Sequence, residues 1–292
     1  MCRWMAWSGQ SLIIEELLFK PTHGLVEQSR HSRMGVETTN GDGFGLGWYG
    51  GGEGPAVYRS VAPAWGDANL RDLAAHVESP LFLAHVRATT GTAIQETNCH
   101  PFRHGKWLFV HNGVINGFQA MRRDLMLAVE PELFPNIEGS TDSEVLFHLA
   151  LTFGLDADPV GALERAVGFV EATALRHGID GAVQASMGLS DGKRLWAFRY
   201  STERSSRTLF MSHDPASIKE LHPENPRLQR LRSEDRVVVS EPIADLTGVW
   251  HKIPEATVLV VQPGADEQLP FRPRYEPAGG NGAAARAGTT SA

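Results

Sequence analysis

The order in which strand-like and helix-like segments follow one another constrains the fold of this chain most strongly. Mostly strand-like apolar runs precede residue 112, helical periodicity dominates residues 116–176, and strand-like runs return between residues 182 and 262. Blocks of this kind pack as stacked layers of sheet and helix, whereas strictly alternating strands and helices favour a parallel βαβ sheet. The sequence therefore predicts an α+β fold.

Composition predicts one domain followed by a tail. No linker-like stretch divides residues 2–275, so we expect them to share one core. Residues 276–292 are rich in Gly and Ala and nearly lack large apolar side chains, so we expect a disordered tail.

Charge and cysteine content exclude several classes of protein. The net charge is -7 and the basic residues are scattered, which argues against nucleic-acid binding. Two cysteines, no signal-peptide pattern and no long apolar run predict a cytoplasmic protein that does not bind membranes. The twelve histidines show no metal-ligand spacing and the glycines no dinucleotide-binding loop, so we expect neither metal nor cofactor.

Cys2 directly follows the initiator methionine. If Met1 is removed, as is usual before a small residue, one residue carries a thiol and a free α-amine. The amine has a pKa of roughly 7.7–8.0, which suits a general base for the thiol. By position alone, however, an ordinary small residue near a trimmed end is the favoured explanation of Cys2.

Three further positions each admit a structural and a functional interpretation. Arg87 ends an apolar strand, where it could form a surface ion pair or bind a carboxylate. Asn112-Gly113 is a typical hairpin turn, but its amide and the glycine N–H could also form an oxyanion hole. Asp142 falls in the first turn of a helix capped by Thr141, where the helix dipole favours an acid or where it could bind an ammonium.

Taken together, these groups match one kind of ligand. Arg87 would bind an α-carboxylate and Asp142 an α-ammonium, while Asn112 and Gly113 would stabilise the oxyanion formed when Cys2 attacks a side-chain carbonyl. Glutamine and other γ-glutamyl amides carry all three features.

A set of motifs in fixed order supports this interpretation. They are Met1-Cys2, Asp42-Gly43-Phe44-Gly45, HVRATTGT at 85–92, NCHPF at 98–102, HNGVING at 111–117 and STDSEVL at 140–146. In these motifs the chain resembles the class II glutamine amidotransferases, whose glutaminase domains are N-terminal-nucleophile hydrolases. The resemblance covers most of residues 2–150 and is weaker over 181–262.

The resemblance implies a four-layer αββα sandwich and assigns roles to six residues. Cys2 would be the nucleophile, Asn112 and Gly113 the oxyanion pair, and Arg87, Thr90 and Asp142 the substrate-binding residues. Ala88 replaces the aromatic residue that many family synthases have after the Arg, and Gly91 replaces a histidine of glucosamine-type synthases. We therefore expect a pocket that differs from one shaped for free glutamine.

The predicted reaction is cleavage of a γ-glutamyl amide through a Cys2 thioester, which releases glutamate and either ammonia or an amine. No second catalytic domain follows the motifs, so released ammonia would pass to a partner synthase subunit. Two alternatives stay open: a γ-glutamyl hydrolase of the ergothioneine-biosynthesis type, and a glutamine-binding subunit without catalytic activity.

Overall fold

The protein, analysed as a computed structural model, is described over residues 2–34, 39–89, 91–212, 215–216, 219, 223–244 and 249–275. Within these ranges thirteen strands and six α-helices have defined bounds, besides four short 3-10 helices. The strands are β1 Arg3–Ile13, β2 Phe44–Trp48, β3 Ala56–Ser60, β4 Glu78–Val86, β5 Phe102–His104, β6 Trp107–Ile115, β7 Val183–Ser190, β8 Leu195–Ser201, β9 Phe210–Ser212, β10 Arg236–Val239, β11 Trp250–Lys252, β12 Thr257–Val261 and β13 Glu267–Pro270. The helices are α1 Glu15–Leu18, α2 Leu25–Arg30, α3 Ala68–His76, α4 Phe118–Leu127, α5 Asp142–Thr152 and α6 Pro159–Arg176.

The strands form two antiparallel sheets. One has seven strands in the order β11-β9-β10-β1-β4-β2-β3, and the other has six in the order β13-β12-β8-β7-β6-β5. β1 lies in the middle of the first sheet, paired with β10 on one side and β4 on the other. In the second sheet β6 and β7 are paired over eight residues each.

Three hydrophobic cores define four layers. One core between the sheets contains Trp4, Leu83, Val110 and Leu259. A second packs α4, α5 and α6 on the outer face of the six-stranded sheet, and a third packs α1, α2 and α3 on the outer face of the seven-stranded sheet. Because side chains alternate between the faces of a strand, each sheet contributes to two of these cores. The predicted four-layer αββα sandwich is confirmed.

The alternating glycines of β2 allow a close approach of the neighbouring chain. A Cβ atom at Gly45 would lie 2.1 Å from the backbone oxygen of His100, so a larger residue would displace that segment. The segment that contains Cys99 and His100 therefore packs directly against β2. This contact joins β2 to the chain that enters the second sheet, near the site described below.

The sequence predicted the main helices well and some strand ends poorly. α5 and α6 match the expected ranges 142–154 and 158–176 within two residues. The expected strand at 106–111 instead continues to Ile115, and residues 11–13, expected in a helix or turn, belong to β1. The tail predicted at 276–292 lies outside the described residues.

Candidate active site

Cys2 is placed by the central strand of the seven-stranded sheet. It immediately precedes β1, in which Arg3 pairs with Val86 of β4. This register brings the end of β4 beside Cys2, and the Cys2 Sγ lies 3.6 Å from the backbone oxygen of Ala88. Cys2 is half-buried and forms no disulfide.

Arg87 is buried at the end of β4 and organises the loop that follows it. Its Nη2 donates to Thr92 Oγ1 at 2.7 Å and to Ala93 O at 3.1 Å, and it also contacts Thr89 Oγ1 at 3.3 Å. Its Nη1 lies 3.4 Å from Asp42 O. These contacts fix the guanidinium plane, and the role of Arg87 in binding a carboxylate remains a prediction.

Asn112 and Gly113 lie inside β6, opposite Ser186 and Ala185 of β7. The hairpin turn that an Asn-Gly pair often forms is therefore absent at this position, because the strand continues and the pair belongs to a ladder. A Cβ atom at Gly113 would lie 1.9 Å from Gln184 O and 2.5 Å from His111 Nε2. Only glycine fits this position without moving β7 or His111.

Asp142 is the first residue of α5, as the sequence predicts. Its Oδ2 accepts from the backbone N–H of Ile115 at 2.8 Å, and its Oδ1 accepts from the backbone N–H of Ser143 at 2.8 Å. The Thr141 hydroxyl caps the helix by accepting from Glu144 N at 3.2 Å. The Glu144 carboxylate accepts from the backbone N–H groups of residues 138 and 139. In a capping box this carboxylate would accept from the N–H of the capping residue, so these two bonds take the place of that one.

One cavity joins these groups. It has a volume of about 720 Å³, within the range of roughly 300–1,000 Å³ common for ligand pockets. The predicted residues that line it are Cys2, Arg87, Asn112, Gly113 and Asp142. Thr90, the sixth predicted residue, lies outside the described residues.

Asn98 holds two walls of the cavity together. Its side-chain nitrogen donates to Ala93 O at 2.9 Å, and its oxygen accepts from Ser140 N at 2.8 Å. The loop after Arg87 and the segment before Asp142 are therefore bonded to the same side chain. This bonding limits how far Arg87 and Asp142 can separate at the cavity that both line.

The electrostatic environment of the Cys2 thiol combines opposing effects. Burial raises its pKa, the Arg87 guanidinium acts in the opposite direction, and the Asp142 carboxylate again raises it. The thiol therefore requires a base to ionise efficiently at neutral pH.

Three buried histidines form a cluster at the cavity, one from each of three motifs, and none of them has a role predicted from the sequence. The rings of His85 and His100 are 4.2 Å apart, and His100 and His111 line the cavity. Burial lowers the pKa of His85 to about 3, lowers that of His100 well below its usual value, and lowers that of His111. All three are therefore neutral at physiological pH.

His111 is linked to Asp142 through Ser143. His111 Nδ1 lies 2.8 Å from Ser143 Oγ, and Ser143 Oγ lies 3.1 Å from Asp142 Oδ1. The hydrogen-bonded chain His111–Ser143–Asp142 orients the carboxylate.

Cys99 is the second thiol of the chain and is fully buried. Its Sγ contacts Ser60 O at 3.5 Å and Gln95 O at 3.7 Å, and burial raises its pKa to about 11. These surroundings describe an inert structural thiol, in agreement with the sequence analysis.

Arg207 also lines the cavity, and no local sequence pattern distinguishes it from the other arginines. No group of three or more metal-binding side chains occurs within the described residues. Among the same residues, no helix is long and apolar enough to cross a membrane.

Comparison with known proteins identifies relatives over most of the chain. A family model for the class II glutamine amidotransferases matches residues 25–278. The probable glutamine amidotransferase DUG3 of Saccharomyces cerevisiae is 32% identical, over 90% of this chain and 82% of that protein. The gamma-glutamyl-hercynylcysteine sulfoxide hydrolase of Mycolicibacterium smegmatis is 30% identical, over 90% of this chain and 96% of that protein.

Solved structures show the same fold. A glutamine aminotransferase class-II domain protein from Silicibacter pomeroyi superimposes with a TM-score of 0.70 at 33% identity, covering 93% of this chain and all of that one. The glutamine phosphoribosylpyrophosphate amidotransferase of B. subtilis gives a TM-score of 0.62 at 14% identity, covering 93% of this chain and 49% of that one. The second likeness concerns the fold alone.

Proposed function

Because the chain belongs to the class II glutamine amidotransferase family, we propose that it hydrolyses γ-glutamyl amides through a thioester on Cys2. The observation that carries this proposal is the single cavity lined by Cys2, Arg87, Asn112, Gly113 and Asp142. The proposal treats residues 2–275 as one cytoplasmic amidotransferase domain.

Substrate binding follows from the charges of the cavity walls. The Arg87 guanidinium binds the α-carboxylate of the γ-glutamyl group, and the Asp142 carboxylate binds its α-ammonium. Asn98 joins the segments that carry the two groups, and both groups line the cavity that contains Cys2. Thr90 is a further candidate contact to the same group. The γ-carbonyl then faces the thiol.

The first chemical step forms the thioester. After removal of Met1, the α-amine of Cys2 takes the thiol proton, directly or through a water molecule, and the thiolate attacks the γ-carbonyl carbon. The Asn112 amide and the Gly113 N–H donate to the resulting oxyanion, an interaction worth roughly 3–4 kcal/mol per donor in other acyl-transfer enzymes. The C–N bond then breaks, and the leaving amine takes the proton held by the α-amine.

The second step releases glutamate. Water attacks the thioester carbon, the α-amine accepts a proton from that water, and the C–S bond breaks. The same proton returns to the Cys2 sulfur, so the enzyme ends in its starting state. No oxidant, metal or cofactor enters this sequence.

The leaving group distinguishes two versions of this activity. If it is ammonia, a synthase subunit would be the partner that accepts it. If it is a larger amine, the chain is a γ-glutamyl amide hydrolase, the activity in the name of the Mycolicibacterium smegmatis relative. A third version, a glutamine-binding subunit without turnover, is separated from both by the experiment below.

Glutamate release from glutamine and from γ-glutamyl peptides tests the proposal directly. The native protein should release glutamate from at least one of them, and Cys2→Ala should abolish release while Cys99→Ala retains it. Intact mass should show Met1 absent from the active protein. Substrate binding without turnover would indicate the non-catalytic subunit, and equal rates for the native protein and Cys2→Ala would show that Cys2 is not the nucleophile.

A further inference from the structure

The guanidinium of Arg207 has no hydrogen-bond or ion-pair partner among the described residues. Its Nε is buried and donates to none of the described residues, and its guanidinium forms no ion pair with them. A buried donor left without an acceptor costs about 1–3 kcal/mol, and more on a charged group. Such a group is expected where a ligand supplies the missing acceptor.

The position of Arg207 is defined by the strand next to β1. The following residue, Thr208, donates from its hydroxyl to Ser240 O at 2.8 Å, and Ser240 N donates to Trp4 O at 3.0 Å. Ser240 directly follows β10, so Arg207 lies beside the start of β1 on its β10 side.

Arg87 occupies the opposite side of the same strand end. It follows β4, the other neighbour of β1. Cys2 therefore lies between two arginines, one beyond each flanking strand. Since Asn98 ties the segment before Asp142 to the loop after Arg87, the proposed glutamyl half of the substrate is assigned to the Arg87 side and the leaving amine to the Arg207 side.

The space beyond Arg207 can hold a leaving group larger than ammonia. Arg207 and Val114 line the main cavity and also an adjoining one of about 270 Å³. The walls of the second cavity are mostly polar, with Asn116, Gln184 and Ser201 among them, and Glu203 contributes a carboxylate. Glycine-like or peptide-like groups find hydrogen-bond partners in such surroundings.

The charges next to Arg207 favour an anion as its partner, whereas the Glu203 carboxylate of the adjoining cavity would repel an anion placed beside it. Burial lowers the pKa of Arg207 and so does the neighbouring Arg3, whereas the Cys2 thiolate raises it. Arg3 is itself neutralised by Glu241, with Nε 3.0 Å from the carboxylate. A carboxylate at Arg207 would supply the opposite charge that this guanidinium lacks.

We propose that Arg207 binds a carboxylate on the leaving amine, so that the preferred substrates are γ-glutamyl amides of amino acids or peptides. The inference rests on the proposed γ-glutamyl hydrolysis and adds its substrate class. Arg87 and Arg207 then hold the two ends of the substrate, with the scissile amide between them at Cys2.

A matched pair of substrates isolates this contact. γ-Glutamylglycine carries the carboxylate, and γ-glutamylglycinamide replaces it by a neutral amide of nearly the same shape. We expect the native enzyme to favour the acid in kcat/KM by roughly 10- to 100-fold, the usual contribution of a charge-assisted hydrogen bond. In Arg207→Met the preference should disappear, and Arg207→Lys should keep part of it.

Arg123→Met is the control, since Arg123 is exposed on α4 and should leave the preference unchanged. Glutamate release that depends on Cys2 but shows no preference in the native enzyme would overturn the inference and leave the proposed function standing. If folded Arg207→Met keeps the preference for the acid, the inference is likewise overturned and the proposed function still stands. Absence of Cys2-dependent release from every substrate would overturn the proposed function and the inference with it.

Discussion

Trp4 Nε1 donates a hydrogen bond to Ser186 Oγ at 3.1 Å, from the central strand of one sheet to the other sheet. Both side chains are fully buried, and Ser186 Oγ also lies 3.5 Å from Asn112 O. Trp4 is two residues from Cys2, and Ser186 faces Asn112 across the β6–β7 ladder. This contact therefore sets the spacing between the candidate nucleophile and the candidate oxyanion pair.

Replacing either side chain of this Trp4–Ser186 hydrogen bond should destabilise the folded protein. Trp4→Phe leaves the Ser186 hydroxyl without its donor, and Ser186→Ala leaves the indole N–H unpaired. We expect each to lower the free energy of unfolding by about 1–2 kcal/mol, measured by urea denaturation. Because the two changes remove the same interaction, the double variant should cost less than the sum of the single ones. If the loss in the double variant equals the sum of the two single losses, the hydrogen bond contributes no coupling energy between Trp4 and Ser186.

Gly113→Ala should disrupt the site through sterics alone. The added Cβ would meet Gln184 O at 1.9 Å, so β6 and β7 must separate or shift. We expect a loss of about 1–3 kcal/mol in unfolding free energy and a large fall in glutamate release. Gly66→Ala is the control, since nothing lies within 4 Å of its added Cβ and its stability should change by less than about 0.5 kcal/mol. Unchanged thermal stability and activity in Gly113→Ala would contradict the close approach.

Periodicity was enough to predict stacked layers of sheet and helix, whereas the number and order of the layers came from the family resemblance. The apolar faces of α5 and α6 and the two blocks of strands are local patterns, and they packed as expected. Short edge strands such as β5 and β11 were not predicted, because three residues carry too little periodicity. The continuation of β6 through Asn112-Gly113 depends on pairing with β7, which is distant in sequence.

The site could be predicted only where its residues stand in recognisable motifs. The motifs predict Cys2, Arg87, Asn112, Gly113 and Asp142, and the structure brings these five residues to one cavity. Arg207 lies in a loop of ordinary polar residues, and its place beside Cys2 arises from the contact of its neighbour with the strand next to β1. The neutral histidine cluster depends on burial, which a sequence does not display.

The histidine cluster should make stability depend on pH. Burial lowers the pKa of folded His85 to about 3, against about 6.5 when unfolded, so the unfolded chain binds more protons between these values. The contribution of His85 to the free energy of unfolding should therefore be complete above about pH 6.5 and should decrease as the pH falls below that value. His100 and His111 act in the same direction.

Denaturation midpoints between pH 6 and pH 5 check this dependence. In His85→Gln the slope of unfolding free energy against pH should be shallower by up to about 1.4 kcal/mol per pH unit, whatever the variant's overall stability. His76→Gln, an exposed histidine, should keep the native slope. An unchanged slope in His85→Gln would mean that His85 is not buried as a neutral base.

Asp142→Asn should weaken recognition of the substrate ammonium more than it weakens the fold. Asp142 already accepts from Ile115 N and Ser143 N, so the change also has a structural cost that lowers activity on every substrate. A matched pair of substrates separates the two effects: glutamine, and glutaramic acid, which lacks the α-ammonium. The native enzyme should favour glutamine in kcat/KM by roughly 10- to 100-fold, the contribution of a charge-assisted contact, and Asp142→Asn should remove that preference.

Asp124→Asn, on the exposed side of α4, is the control and should retain the preference for glutamine. If Asp142→Asn lowers both activities by the same factor, the carboxylate only holds the strand end and the helix together, and the ammonium must bind elsewhere in the cavity.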